Sequence, residues 1–261
     1  MGNSDPFLTS LKSFGYSVIR LPRTDIQPLQ MLVKEEARLT RLGDLATILR
    51  PGTRIGLPRL KENVTAANLS GERTRDLSIG VGLSILGNVI AAMGGSKLGL
   101  EVTYKNAKTA AFEFADVLED RVDLADVDQY LTDADISAFS TYAAQLLEAD
   151  AVYVMTSTIK SRKFIVQAKQ SSGLALDVQI PEIQKAVGAS VKVSSDRETS
   201  SKIAYEGAQP LVFGFQAARL FYENGRYTAF KPMEPGTGAF EARTAADYLV
   251  TESPFVRLDA R

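Results

Sequence analysis

At 261 residues the chain has room for one large core or two modest ones, and 45% hydrophobic against 23% charged residues marks a globular protein. Thirty basic and thirty-one acidic side chains leave a net charge of −1, which argues against nucleic-acid binding and the basic excess it needs. The chain has no Cys and no His, which excludes disulfides, thiolate nucleophiles, the commonest general base and the commonest metal ligand; no cofactor is expected.

Asp5, Lys12 and Arg20 interrupt the apolar stretch that a secretory signal needs. Ser4-Asp5-Pro6 opens a helix that carries Phe7, Leu8, Leu11 and Phe14 at helical spacing and closes at Gly15. Residues 16–22 read as a strand ended by Pro22, residues 29–33 as another, and 39–60 as strand and loop. The most apolar run, 77–95, is nineteen residues long and just reaches the roughly 20 residues of a membrane-spanning helix. Its five glycines and Asn88 favour a buried strand running into a helix over 84–93.

From Leu98 the period is two: Leu98, Leu100, Val102 and Tyr104 share one face of a predicted strand, and Glu101, Thr103 and Lys105 lie on the other. After a turn at 106–108, residues 109–120 return as a long strand with Phe112 and Phe114 on one side and Glu113 on the other. Two helices follow, 124–131 capped by Asp123 and 138–148 capped by Ser137. A second hairpin is expected: 151–157 out, a turn at 158–162, and 163–169 back, with Val152, Val154, Phe164 and Val166 on its apolar face. A short helix with Pro181 near its start, strands near 190–195 and 202–205, and a hairpin around Asn224-Gly225 complete the body. The fold class is α+β, one domain with a twisted, mostly antiparallel, long-stranded sheet and flanking helices.

Residues 232–239, with two prolines and two glycines, read as a flexible link. The segment 240–261 beyond it is too short for its own core, yet it holds Phe240, Tyr248, Leu249 and Phe255, so it is expected to dock on the body. It is either ordinary terminal structure or a removable plug.

Four patterns invite chemistry. Ser157 and Lys160 fit Ser-x-x-Lys but fall in the expected turn, without the companion Lys-Thr-Gly. Gly80-Val-Gly82 lacks the rest of a dinucleotide fingerprint, and Gly94-Gly-Ser-Lys97 has the wrong order for a phosphate loop; both read as turns. The acids from Glu119 to Asp135 lack a calcium loop's central glycine and read as caps and a solvated face. Lys160, Arg162 and Lys163 at the expected hairpin tip are either solvated or set to meet anionic lipid headgroups.

Residues 7–30 resemble the opening of the bacterial gasdermins, most specifically in Gly-Tyr-x-Val-x-Arg-Leu-Pro-Arg over 15–23, and the similarity continues through the Gly-rich run and both expected hairpins. The resemblance implies a pore-forming effector of anti-phage defence and not an enzyme. It implies a pore-forming part (1–231), a linker (232–239) and a C-terminal inhibitory peptide (240–261). A caspase-like protease would cut within a window that includes Pro235, Gly236, Thr237, Gly238, Ala239, Phe240, Arg243 and Asp247. The cytoplasmic protein would then move to inner-membrane lipids and assemble a large homo-oligomeric ring. Many members carry a lipidated cysteine beside the initiator Met; here those positions are Gly2, Asn3 and Ser4, so no lipidation is expected.

Membrane physics adds its own demands. A lipid-exposed sheet must close into a barrel, each strand needs roughly 9–11 residues, and two hairpins per chain are too few, so the barrel must be oligomeric. Leu100, Val102, Phe112 and Phe114 would then face lipid, with Glu101, Thr103, Lys105 and Glu113 toward the lumen. Two other readings stay open: a binding or scaffold module with a constitutive tail, and a Ser–Lys hydrolase.

Overall fold

Residues 152–169 are rich in β-branched and aromatic side chains and contain no Gly or Pro, so nothing in them breaks an extended chain. The computed structural model describes residues 11, 14–35, 38–67, 69, 76–174, 179–196, 199–234 and 239–240. In it this stretch is one strand of 18 residues, Val152–Lys169. The turn expected over 158–162 does not exist. Charge suggested it, but the segment has no Gly, Pro, Asn or Asp to set turn dihedrals, and Thr158 and Ile159 are fully buried. Its neighbour is longer still, the 25-residue Thr199–Glu223. That strand carries Pro210 through an irregularity: Ser161 lies opposite Leu211 and Lys163 opposite Glu206, so residues 207–210 face Arg162 alone.

The elements in order are β1 Ser17–Arg23, β2 Gln30–Glu35, β3 Arg38–Asp44, α1 Leu45–Ile48, β4 Leu49–Arg50, β5 Lys61–Thr65, β6 Leu77–Ser78, α2 Ile79–Ala92, α3 Leu100–Thr103, β7 Thr109–Ala115, β8 Leu118–Arg121, α4 Leu124–Asp133, β9 Asp135–Ile136, α5 Thr141–Glu148, β10 Val152–Lys169, α6 Ile180–Val187, β11 Val191–Asp196, β12 Thr199–Glu223, β13 Arg226–Pro232 and β14 Ala239–Phe240. β4 and β9 form a small separate pair, and the other strands form one twelve-stranded sheet. The sheet has two halves strung on β10 and β12. The distal half runs β11-β12-β10-β7, antiparallel at every step. The proximal half holds β13, β1, β14, β3 and β2 around the other ends of the long strands. β14 lies between β1 and β3 and is parallel to both.

Five further expectations change. Residues 98–105 are not a strand: Gly99 at φ 90° starts helix α3, which buries Leu100 and Tyr104 and leaves Leu98 and Val102 79% and 71% exposed. The alternation misled because residues 100 and 104 also lie four apart, on one helical face, and 98 and 102 on another. The strand expected over 109–120 is split into β7 and β8 by Asp116, whose φ is 53°. Helix α2 begins at Ile79, well before residue 84. Its Gly82 is needed for contact, since a Cβ there would stand 2.8 Å from the Cβ of Ala110 on β7. Asp123 precedes α4 without capping it and pairs with Lys61 at 2.6 Å, while α5 starts after Ser140, not Ser137. Asn224 and Gly225 both take positive φ, 53° and 74°, as the expected tight hairpin requires. The first predicted helix lies outside the described residues apart from Leu11 and Phe14.

Candidate functional site

Strand alternation gives the distal half two different faces. On one, β7 sets Ala110, Phe112 and Phe114, β10 sets Phe164, Val166 and Ala168, β12 sets Ile203 and Tyr205, and β11 sets Val191 and Val193. These side chains form one core with α2, α3 and α6, which contribute Leu86, Val89 and Ile90, then Leu100 and Tyr104, then Ile183 and Val187. Phe112 stacks on Phe164 at 5.2 Å between ring centres, and Phe114 stacks on Phe213 at 3.7 Å. One polar contact lies inside this core: the hydroxyls of Tyr104 and Tyr205 are 2.5 Å apart and tie α3 to β12. Burial raises the pKa of both phenols.

The register places a charged set on the other face. Lys192, Glu206, Lys163 and Ala115 form one row across the four strands; Ser194, Ala204, Ile165 and Glu113 form the next. Lys202, Gln167 and Ala111 follow, and then Lys169 and Thr109. Lys202 reaches Glu113 at 2.9 Å, Arg162 reaches Glu206 at 3.8 Å, and Lys169 pairs with Asp76 at 2.8 Å.

The structure therefore brings Phe112, Phe114, Phe164 and Val166 together, but on β7 and β10 as neighbours, not on two separate hairpins. Val152 and Val154 sit elsewhere, in the proximal core beneath α4 and α5 with Met31 and Leu147. Leu100 packs on the distal core and Val102 projects to solvent, both from a helix. Glu101, Thr103 and Lys105 lie on or just after that helix, where the Thr103 hydroxyl donates to the Gly99 carbonyl at 2.9 Å. The strands expected near 190–195 and 202–205 are β11 and the first part of β12; the sequence reading gave them no place among the inserting strands, although Lys202, Ala204 and Glu206 alternate with Ile203 and Tyr205 as on a two-faced strand.

Ser157 and Lys160 point to opposite faces of β10. Ser157 Oγ donates to Glu119 Oε1 at 2.7 Å, and Lys160 Nζ to Asp120 Oδ2 at 2.5 Å. They do not meet, so they form no nucleophile–base pair. Tyr16 also donates to Glu119, at 2.8 Å, and burial pushes its phenol up to about 12. The basic trio is not at a tip: Lys160 is largely enclosed beside Asp120, while Arg162 is exposed in mid-strand. Gly80 and Gly82 lie within α2, not in a turn. Among the described residues no cluster of acids could hold a metal ion, and no helix is long and apolar enough to cross a membrane.

At the tail, β13 runs through Pro232, and the Met233 N–H donates to the Ala217 carbonyl at 2.8 Å, so the predicted link starts fastened. Ala239 and Phe240 enter the sheet as β14. Pro235, Gly236, Thr237, Gly238, Arg243, Asp247, Tyr248, Leu249 and Phe255 lie outside the described residues, as do Gly2, Asn3 and Ser4.

The chain is thus an α+β protein built on a long antiparallel sheet, one half of it apolar on a helix-covered face and charged on the other. The sequence profile of the Bacterial Gasdermin Family matches residues 19–226. A gasdermin of a Desulfuromonadales bacterium is 56% identical over 97% of both chains. One from Lysobacter enzymogenes is 40% identical over 92% of this chain and 89% of that one. The structure of a bacterial gasdermin from Bradyrhizobium tropiciagri shares the fold, with a TM-score of 0.59 over 90% of this chain and 94% of that one at 17% identity. The chain belongs to the bacterial gasdermin family, whose members are pore-forming effectors and not enzymes.

Proposed function

We propose that this gasdermin is an autoinhibited pore former of anti-phage defence. A caspase-like protease cuts between the body (1–231) and the C-terminal peptide (240–261). The cytoplasmic protein then oligomerises on the inner membrane and closes a large β-barrel. The carrying observation is the segregation of the distal half into an apolar face under helices and a charged face. Moving α2, α3 and α6 aside would present Phe112, Phe164, Val166 and Tyr205 to lipid and leave Glu113 and Lys202 toward water.

Edges and lengths fit the same reading. β11 ends the sheet order on one side, and β6 covers just two residues of β7 on the other. Because β11-β12-β10-β7 alternates in direction, β11 of one copy meeting β7 of the next continues the antiparallel pattern, and closure removes both edges. Seven residues in β7 and six in β11 fall short of the roughly 9–11 a spanning strand needs. The chain that flanks them in sequence is α3 and α6, so the covering helices are also the reserve for strand extension. Leu100 and Val102 reach the lipid face in that way, while Val152 and Val154 remain in the body.

Dye release from liposomes tests the proposal. The full chain, with a specific protease sequence replacing 235–238, should be silent until cut and leaky afterwards. Retained dye after complete cutting would refute it.

A further inference from the structure

The charged face of the distal half is not neutral, and its excess sits at defined positions. Over the stretch in unbroken register, residues 192–194, 202–206, 163–169 and 109–115, Lys163, Lys169, Lys192 and Lys202 stand against Glu113 and Glu206, so four positive and two negative charges leave +2 there per chain. Glu113 is neutralised by Lys202 at 2.9 Å. Glu206 lies between Lys192 on β11 and Lys163 on β10 at the same level of the sheet, so that row carries one cation beyond its acid. Arg162 approaches this Glu206 as well, at 3.8 Å. The partner of Lys169, Asp76, lies on the chain leading into β6 and not on the four strands.

We infer that the row Lys192–Glu206–Lys163, repeated once per subunit around the barrel, forms a cationic ring that makes the pore favour small anions over small cations. This rests on the pore reading above, because it needs this face to line the lumen. Rings of Lys or Arg select anions for the same reason that rings of acids select cations: fixed charge raises the local concentration of its counter-ion. Glu206 can offset one of the two lysines beside it in each subunit. The other remains, and every added subunit contributes another at the same height. The favoured solutes are chloride and, by the same chemistry, phosphorylated or carboxylated metabolites. Selectivity should grow as salt falls, since the screening length lengthens from about 10 Å at 0.1 M to about 30 Å at 0.01 M.

The experiment is a planar-bilayer recording of the full chain, cut in place at a protease sequence substituted for 235–238, under a KCl gradient at low ionic strength. The expected reversal potential has the sign of chloride preference and shrinks as salt is raised on both sides. K163E/K192E should reverse the sign, and K163R/K192R should retain it, which separates loss of charge from damage to the sheet. Steady current with no preference, or with potassium preference, in the unsubstituted protein would overturn the ring while leaving the pore intact. Absence of current would overturn the pore reading and this inference with it. If K163E/K192E carried normal current with unchanged chloride preference, the selectivity would not come from these lysines, and the assignment would fall.

Discussion

The Tyr104–Tyr205 contact shows how much one pair of hydroxyls can decide. Both phenols are nearly inaccessible, and each finds the other at 2.5 Å. Removing one partner strands a buried polar group, so Tyr205→Phe should cost about 1–3 kcal/mol in urea unfolding. Replacing both with Phe should be closer to neutral. Burial raises both phenol pKa values, so the folded state prefers the protonated forms. Their contribution to stability is therefore complete below the ordinary tyrosine value of about 10 and is lost as pH rises above it. The double Phe variant should unfold less readily than wild type on alkaline titration. Asp133 has the opposite sign. The backbone N–H groups of Ile55 and Arg54, 2.9 and 3.0 Å from its carboxylate, hold its pKa below the usual range. That contribution is present above the ordinary carboxylate pKa and lost as pH falls through the lowered one. Asp133 belongs to an acidic run that the sequence could read only as caps and solvated surface, because its partners lie seventy-eight and seventy-nine positions away.

Among the elements, what the sequence revealed followed a simple rule. Local chemistry was legible: Asn224-Gly225 as a tight hairpin, Pro181 near the start of α6, period two along β7 and β10. Patterns that two structures share were not. Residues 98–105 alternate like a strand, yet α3 uses the same residues at four-residue spacing, and the choice is made by Gly99 and by the core that receives Leu100 and Tyr104. The continuity of β10 was also hidden, since three cations in four residues look like a loop until Asp120 is placed beside Lys160. The ambiguity at α3 supplies a test of the proposed helix-to-strand change. Val102 is exposed, so Val102→Arg should leave the melting temperature of the uncut protein within about a degree, as surface substitutions usually do. In the inserted state the same side chain would meet lipid, at a cost of up to about 2–4 kcal/mol near the membrane centre. Leakage after cutting should fall sharply for Val102→Arg and persist for Val102→Leu. Equal leakage from both would remove α3 from the spanning strands.

At the scale of the whole molecule, the question is what keeps the two-faced half folded against its own helices, and β14 gives a physical handle. Phe240 pairs with Ile19 on β1 and Leu39 on β3, so the tail enters the sheet as a wedge between two strands that are otherwise separated. Two residues of pairing are weak by themselves, and a free peptide of this length would dissociate. While attached, the segment is held beside its slot at an effective concentration on the order of millimolar, which lets a weak contact persist. On the proposed activation, cutting at 235–238 would remove that advantage at once. Net charge cannot be the trigger, since residues 240–261 contain four acids and three bases and their loss changes the total only from −1 to zero. The latch can therefore be tested without a protease. Proline has no N–H and does not fit within a paired strand, so Phe240→Pro should disrupt β14 while leaving the covalent chain whole. The uncut variant should leak dye from liposomes at a rate between those of the uncut and cut wild-type proteins. Adding excess 240–261 peptide after cutting should slow leakage by the cut wild type. An uncut Phe240→Pro protein that stays silent and merely melts at a lower temperature would make the tail ordinary structure, and the binding-module reading would then regain its place.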